Sequence, residues 1–182
     1  MPFNFKKLEI PEVILIQPKI FNDGRGFFVE TYKKADFEEA GIKTSFVQDN
    51  HSKTVKKHTI RGLHFQKEPL SQAKLVRVIK GKILDIAVDI RPNSETFGRS
   101  VSREIDSEGK ELIYIPEGFA HGFCTLEDDT EVMYQCSCNY SPDHEGGIIW
   151  NDSVLQIEWP TDEPTLSERD TKWGIFKELA SE

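Results

Sequence analysis

The 182-residue sequence contains no run of about eighteen apolar residues, the length a membrane-spanning helix needs. Its opening stretch, "MPFNFKKLEIPEVIL", lacks the apolar block at the heart of a secretory signal. Cysteine is scarce: Cys124, Cys136 and Cys138 form an odd set that argues against a disulfide scaffold and for a reducing, cytoplasmic setting. Positive charge is in deficit, with 23 Lys plus Arg against 31 Asp plus Glu and a net charge of −8. Non-specific nucleic-acid binding and docking on acidic lipid both call for a basic face, so neither nucleic acid nor membrane is an expected partner. An anionic small molecule stays open, because a few cations can converge in one cleft of an acidic protein. No internal repeat, low-complexity stretch or linker divides the chain. Residues 1–182 read as one domain, large enough for a core of its own.

What is present is mostly strand. "LDIAVDI" (84–90) alternates, with Leu84, Ile86, Val88 and Ile90 on one face and Asp85, Ala87 and Asp89 on the other. Glycines and prolines, among them Gly81, Pro92, Gly98, Gly109, Pro116 and Pro142, punctuate the strands at turn-like intervals. "KKADFEEAG" (33–41) predicts one internal helix stopped by Gly41, and a second short helix is expected near 172–180. Many short strands with few helices predict an all-β sandwich or jelly roll, whose open end suits a small-molecule site.

Strand phase selects residues for chemistry. Lys74, Val76 and Val78 share a face, so inward valines bring Lys74 inward with them. Val132, Tyr134, Cys136, Cys138 and Tyr140 share another face, which turns Tyr134 inward. Bland readings stand beside these: a snorkelling lysine, a core tyrosine, and Cys136 and Cys138 as buried apolar filler. Pro116-Glu117-Gly118-Phe119-Ala120-His121 resembles the second motif of the cupins, P-x-G-x-x-H. Metal-binding cupins combine it with an H-x-H and a following glutamate, whereas this chain has His64-Phe65-Gln66, and Glu68 comes too early. Two histidines without a carboxylate fall short of the usual three protein ligands of a catalytic metal, so no metal is expected. A histidine base, a tyrosine acid and a lysine that steadies negative charge on a carbonyl oxygen suit proton abstraction through an enolate, which is epimerisation.

Eight stretches in one order carry a resemblance: "DGRGFFVETY", "FVQDNHS", "IRGLHFQ", "QAKLVRVIKGKILDIAVDIR", "IPEGFAHGF", "EGGIIWND", "IEWP" and "LSERD". Together, from about residue 8 to about residue 173, they resemble the dTDP-4-dehydrorhamnose 3,5-epimerases, which make a rhamnose precursor for cell-surface polysaccharide. The resemblance implies a cupin-like double-stranded β-helix with a few short peripheral helices, a homodimer, and no metal or other cofactor. It implies epimerisation at C3 and C5 of a nucleotide-linked 4-keto-6-deoxyhexose. It makes His64 the base, Asp170 the carboxylate paired with it, Tyr134 the acid on the opposite face and Lys74 the group near the C4 oxygen. Substrate contacts are implied at Arg25, Glu30, Gln48, Asp49, Asn50, Arg61, Lys74, His121, Glu145 and Arg169, with Arg25 and Glu30 reaching a neighbouring subunit's site. Guanidinium groups suit a pyrophosphate because they bond it bidentately. Phe27, Tyr140 and Trp150 are the aromatic candidates for stacking the base.

The chain departs from the family pattern in places. Arg169 stands where many members have lysine, "EGGI" replaces Glu-Arg-Gly-Ile, and Gln135 stands where a lysine often follows the tyrosine. His51 and His58 match no functional position and are expected at the surface. Rival readings are a C3-only or C5-only sibling acting on another base or a heptose, a metal-dependent cupin, and a non-catalytic sugar-binding cupin. Gln66 disfavours the second of these, and retention of His64, Lys74, Tyr134 and Asp170 disfavours the third. The apolar "VILI" (13–16) is expected to add a strand to a partner's sheet.

Overall fold

The strand-and-turn pattern closes on itself as two facing antiparallel sheets, seen in a computed structural model that describes residues 2–179. The strands are β1 (Phe3–Lys7), β2 (Ile14–Pro18), β3 (Ile20–Asp23), β4 (Gly26–Val29), β5 (Gln48–Thr54), β6 (Ile60–Gln66) and β7 (Lys74–Lys80). They continue as β8 (Lys82–Asp89), β9 (Ser100–Asp106), β10 (Leu112–Ile115), β11 (Phe119–Thr125), β12 (Thr130–Cys136) and β13 (Glu145–Gly147). One sheet runs β1-β2-β10-β7-β12-β5 and the other β13-β6-β11-β8-β9, while β3 and β4 pair only with each other. This is the expected cupin-like jelly roll.

Alternation along each strand builds three apolar layers rather than one. Val76, Val78, Ile83, Ala87, Ile113 and Val132 meet between the sheets. Leu84, Ile86, Val88 and Ile90 share the opposite face of their sheet, packed under Ile148, Leu155 and Phe176 of the C-terminal segment. The outer face of the larger sheet is covered by α1 (Lys34–Glu39) through Phe37, and by Ile42 just after it. With both faces covered, the strands carry more apolar side chains than half-solvated ones need. Each buried large apolar side chain contributes about 1.5–3 kcal/mol. On β8 the face between the sheets carries Asp85, fully buried.

The internal helix ends as its sequence predicts. Gly41 takes φ +92°, its N–H bonds the Glu38 carbonyl, and the Ile42 N–H reaches back to the Phe37 carbonyl at 2.8 Å. That pair of bonds is a Schellman motif, and it turns Ile42 onto Phe37 in the same apolar cluster. Three expectations change. "VILI" contributes β2, whose two edges are filled by β1 and β10 of its own chain, so it has no free edge for a partner. The helix expected over 172–180 is a single 3-10 turn at Asp170–Lys172 followed by α2 (Phe176–Leu179), and residue 180 lies outside the described residues. Strand β12 stops at Cys136, so Cys138 is only half-buried and Tyr140 is exposed.

Candidate active site

Two recesses open between the sheets, of about 290 and 280 Å³. His64, Lys74, Tyr134 and Arg169 line both and therefore stand at their junction. His64 comes from β6 of the smaller sheet, while Lys74 and Tyr134 come from β7 and β12 of the larger one. Base and acid candidates thus enter from opposing walls, which strand alternation dictates once the sheets face one another.

His64, Asp170 and Trp173 are linked by three contacts. The His64 Nε2 lies 2.5 Å from Asp170 Oδ1, the His64 ring meets Trp173 edge-on at 6.0 Å, and the Trp173 indole N–H donates to the same carboxylate at 3.3 Å. Asp170 is 106 residues away in sequence and arrives by two parallel bridges. Thr59 pairs Thr165 and Ile148 pairs Gly174, so the stretch between them lies against β6 and carries Ser167, Arg169 and Asp170 into the cleft. Burial resists ionisation of Asp170, but hydrogen bonds from His64, Ser167 and Trp173 outweigh it and lower its pKa. An ionised carboxylate only accepts, so the His64 Nε2–H is the donor to Asp170.

The histidine's neighbours are set by a close approach of two glycines. His64 and His121 are register partners on β6 and β11. Two residues before His64, Gly62 has φ +121°, and a Cβ there would lie 2.5 Å from Gly122 Cα and 2.6 Å from the His121 carbonyl oxygen. Only glycine permits both the backbone angle and the contact. His121 is buried, and its Nε2 is 2.8 Å from Asp85 Oδ2. Burial lowers its pKa, opposed by Asp85 and assisted by Lys74 and His64.

Lys74 is inward and buried, with one long contact from Nζ to the His64 carbonyl at 3.5 Å. Burial lowers its pKa, partly offset by Cys136, Asp85 and Glu145. Burial raises that of Tyr134, keeping the phenol protonated. Both side chains line the two recesses. Cys136 is buried beside them, the register partner of Lys74 on the recess wall rather than filler in an apolar layer. Gln66 is committed to structure: its amide N–H groups reach the Leu70 and Asn139 carbonyls, and its oxygen accepts from Ser141 N–H. Each imidazole nearby is likewise engaged through Nε2 by its own carboxylate.

The second recess holds Gln48 and Asn50 from β5, Tyr140 and Glu145. Arg169 bonds both Glu145 oxygens at 3.0 Å, and the Tyr140 hydroxyl donates to Glu145 at 3.1 Å. Arg61 lines the first recess, steadied by Thr54 Oγ1 at 3.0 Å. Several expected contacts do not reach this cleft. Asp49 alternates to the other face of β5, where it lines a separate hollow with Arg77. Arg25 is exposed and paired with Asp23 on the β3–β4 hairpin, and Glu30 follows the same hairpin. Phe27 lies on that hairpin under Lys110, and Trp150 borders a different surface hollow, leaving Tyr140 as the aromatic at the site. His51 is exposed and His58 half-buried, both outside the two recesses. Three residues escaped the sequence reading: Ser52, whose buried hydroxyl is unpartnered, Trp173 and Asp85. Ser52 alone was legible, as the next step of the Gln48–Asn50 alternation.

A histidine–carboxylate pair sharing one cleft with a tyrosine and a buried lysine defines an acid–base enzyme on a jelly-roll frame. Comparisons with known proteins agree. The family profile for dTDP-4-dehydrorhamnose 3,5-epimerase matches residues 7–178. The Shigella flexneri dTDP-4-dehydrorhamnose 3,5-epimerase is 51% identical over 174 residues, covering 95% of this chain and 96% of that one. The Bacillus anthracis epimerase, solved with TDP and PPi bound, is 42% identical with a TM-score of 0.93, over 95% of this chain and 99% of that one. A Legionella pneumophila epimerase in complex with dTDP-4-keto-L-rhamnose is 40% identical with a TM-score of 0.92, covering 97% and 96%. The chain belongs to the dTDP-4-dehydrorhamnose 3,5-epimerase family.

Proposed function

We propose that the protein converts dTDP-4-dehydro-6-deoxy-D-glucose to dTDP-4-dehydro-L-rhamnose, inverting C3 and C5 by proton transfer within one cupin-type domain. The observation that carries this reading is His64 and Tyr134 entering one cleft from opposite sheets, with the buried Lys74 lining the same cleft. His64 Nδ1 removes the proton α to the C4 ketone, and Asp170 steadies the imidazolium that forms. The electrons move onto the C4 oxygen as an enolate, which the Lys74 ammonium stabilises in a low-dielectric setting. Tyr134 returns a proton to the opposite face of the same carbon, inverting it. Arg61 and Arg169 hold the pyrophosphate, while Gln48, Asn50, Tyr140 and Glu145 receive the nucleoside. This chemistry needs neither a metal nor a redox cofactor.

The working unit is a homodimer with shared sites, and the hairpin supports this. It pairs with neither main sheet, holds Arg25 and Glu30 away from its own cleft, and exposes Phe27 at 56% and Phe28 at 65%. Among the described residues no helix is long and apolar enough to cross a membrane, and the three cysteines are unpaired. Unpaired thiols support a cytoplasmic setting. The test is NMR of candidate nucleotide 4-ketosugars in deuterated buffer. Deuterium entering at both C3 and C5 of the dTDP sugar is expected. Exchange at one carbon, or only with another base or a heptose, would replace this reading by that sibling's.

A further inference from the structure

Asp85 is a fully buried charge behind His121, which lines the cleft. Its place follows from sheet register. Strand β11 sets His121 opposite Ala87 of β8 and Phe123 opposite Asp85, so Asp85 and His121 are diagonal neighbours on one face. Asp85 Oδ2 takes the His121 Nε2 at 2.8 Å, and Asp85 Oδ1 has no partner in the protein. A carboxylate oxygen accepts the imidazole N–H. The His121 proton is therefore on Nε2. Nδ1, without a protein partner and not sealed from the recess, carries a lone pair. One strand away the His64–Asp170 pair uses the same arrangement.

We propose that Asp85 is a positioning residue for the epimerisation: it holds His121 as the Nε2–H tautomer, so that Nδ1 meets the sugar as a hydrogen-bond acceptor. The proposal rests on the epimerase reading for the identity of the ligand. An imidazole lone pair accepts from a hydroxyl and is repelled by a ketone oxygen. Lys74, a pure donor, does the reverse. Two adjacent wall groups of opposite polarity orient the ring, placing the C4 ketone on Lys74 and a ring hydroxyl on His121. Asp85 decides that polarity although it never touches the sugar.

The tautomer can be read directly in ¹⁵N-histidine-labelled protein by two-bond ¹H–¹⁵N correlation, without substrate. Nε2–H is expected for His121. Nδ1–H or a neutral-pH imidazolium overturns the proposal. In Asp85→Asn the amide can donate to Nε2 and reverse the imidazole, as an amide in place of a triad aspartate does in serine proteases. A fall in kcat/KM for the ketosugar of about 10–10²-fold, the loss that one unmade buried hydrogen bond brings, is expected, with dTDP affinity unchanged. His121→Phe should remove the dependence, so that the double variant is no slower than His121→Phe alone. Wild-type turnover in Asp85→Asn, or losses that multiply in the double variant, overturns the proposal. Should Asp85→Asn fail to fold, the wild-type tautomer decides. That measurement also stands if no tested ketosugar is epimerised, which separates failure of this inference from failure of the assigned reaction.

Discussion

His64 and Tyr134 line one cleft from different sheets, His64 on β6 of the five-stranded sheet and Tyr134 on β12 of the six-stranded one. In the proposed mechanism a planar enolate between them loses its proton to one wall and regains it from the other, so the two-sheet architecture supports inversion.

The two mutants should differ in kind. His64→Ala abolishes deuterium exchange and product together, because no α-proton leaves. Tyr134→Phe retains exchange while product formation falls by about 10²–10⁴-fold, the usual contribution of one positioned acid. Asp170→Asn falls between wild type and His64→Ala. Full exchange in His64→Ala would show that another group is the base.

The alkaline limb of kcat/KM should belong to Lys74. Burial lowers its pKa, so the ammonium is lost, as pH rises, earlier than from a free lysine near 10.4. Tyr134, shifted upward by burial, keeps its proton through that range. Lys74→Arg, whose guanidinium stays charged, should move the limb to higher pH even where the maximal rate falls. Tyr134→Phe should leave it in place. A limb unmoved by Lys74→Arg assigns it elsewhere.

Activity should survive exhaustive chelation, with no stoichiometric metal in the purified protein. The position where metal-binding cupins place a second histidine is Gln66, whose amide is spent on Leu70, Asn139 and Ser141. A strict requirement for added iron, zinc or manganese would refute this.

Light scattering should give a dimer at micromolar concentration. If Arg25 serves the neighbouring site, Arg25→Ala and His64→Ala are each impaired alone, but a mixture after subunit exchange regains activity. In the hybrid, one cleft combines an intact His64 with the partner's intact Arg25. No recovery in verified hybrids would place Arg25 outside the site.

Two glycine substitutions should separate backbone cost from collision. At Gly41 a Cβ meets nothing within 4 Å, so Gly41→Ala costs only the left-handed conformation, about 1–2 kcal/mol in denaturant unfolding, with kcat unchanged. At Gly62 the added carbon strikes backbone of β11. Parting β6 from β11 there shifts His64 and His121 together, so Gly62→Ala loses activity as well as stability. Normal turnover in folded Gly62→Ala would show that the strand pair tolerates more separation than its contacts allow.

The sequence by itself determined whatever depends on neighbours along the chain. Period-two alternation set the sheet faces, placed Lys74 with Val76 and Tyr134 with Val132, and put Gly41 one residue past the helix cap. Motif order carried His64, Asp170 and Arg169 into one family pattern, and all three line the cleft. Tertiary structure alone decided which face of each strand looks inward and which distant groups meet. Asp85 lies on the polar side of an alternating strand, the usual mark of a solvated face, yet closure of the barrel buries it against His121. Asp49 shares a motif with Gln48 and Asn50 but turns away, because successive strand residues cannot face the same side. Asp170 reaches His64 across 106 residues through two bridges that no local pattern announces. Contacts of that separation are set by the path of the whole chain, since each rests on the packing of sheets whose faces must first be buried.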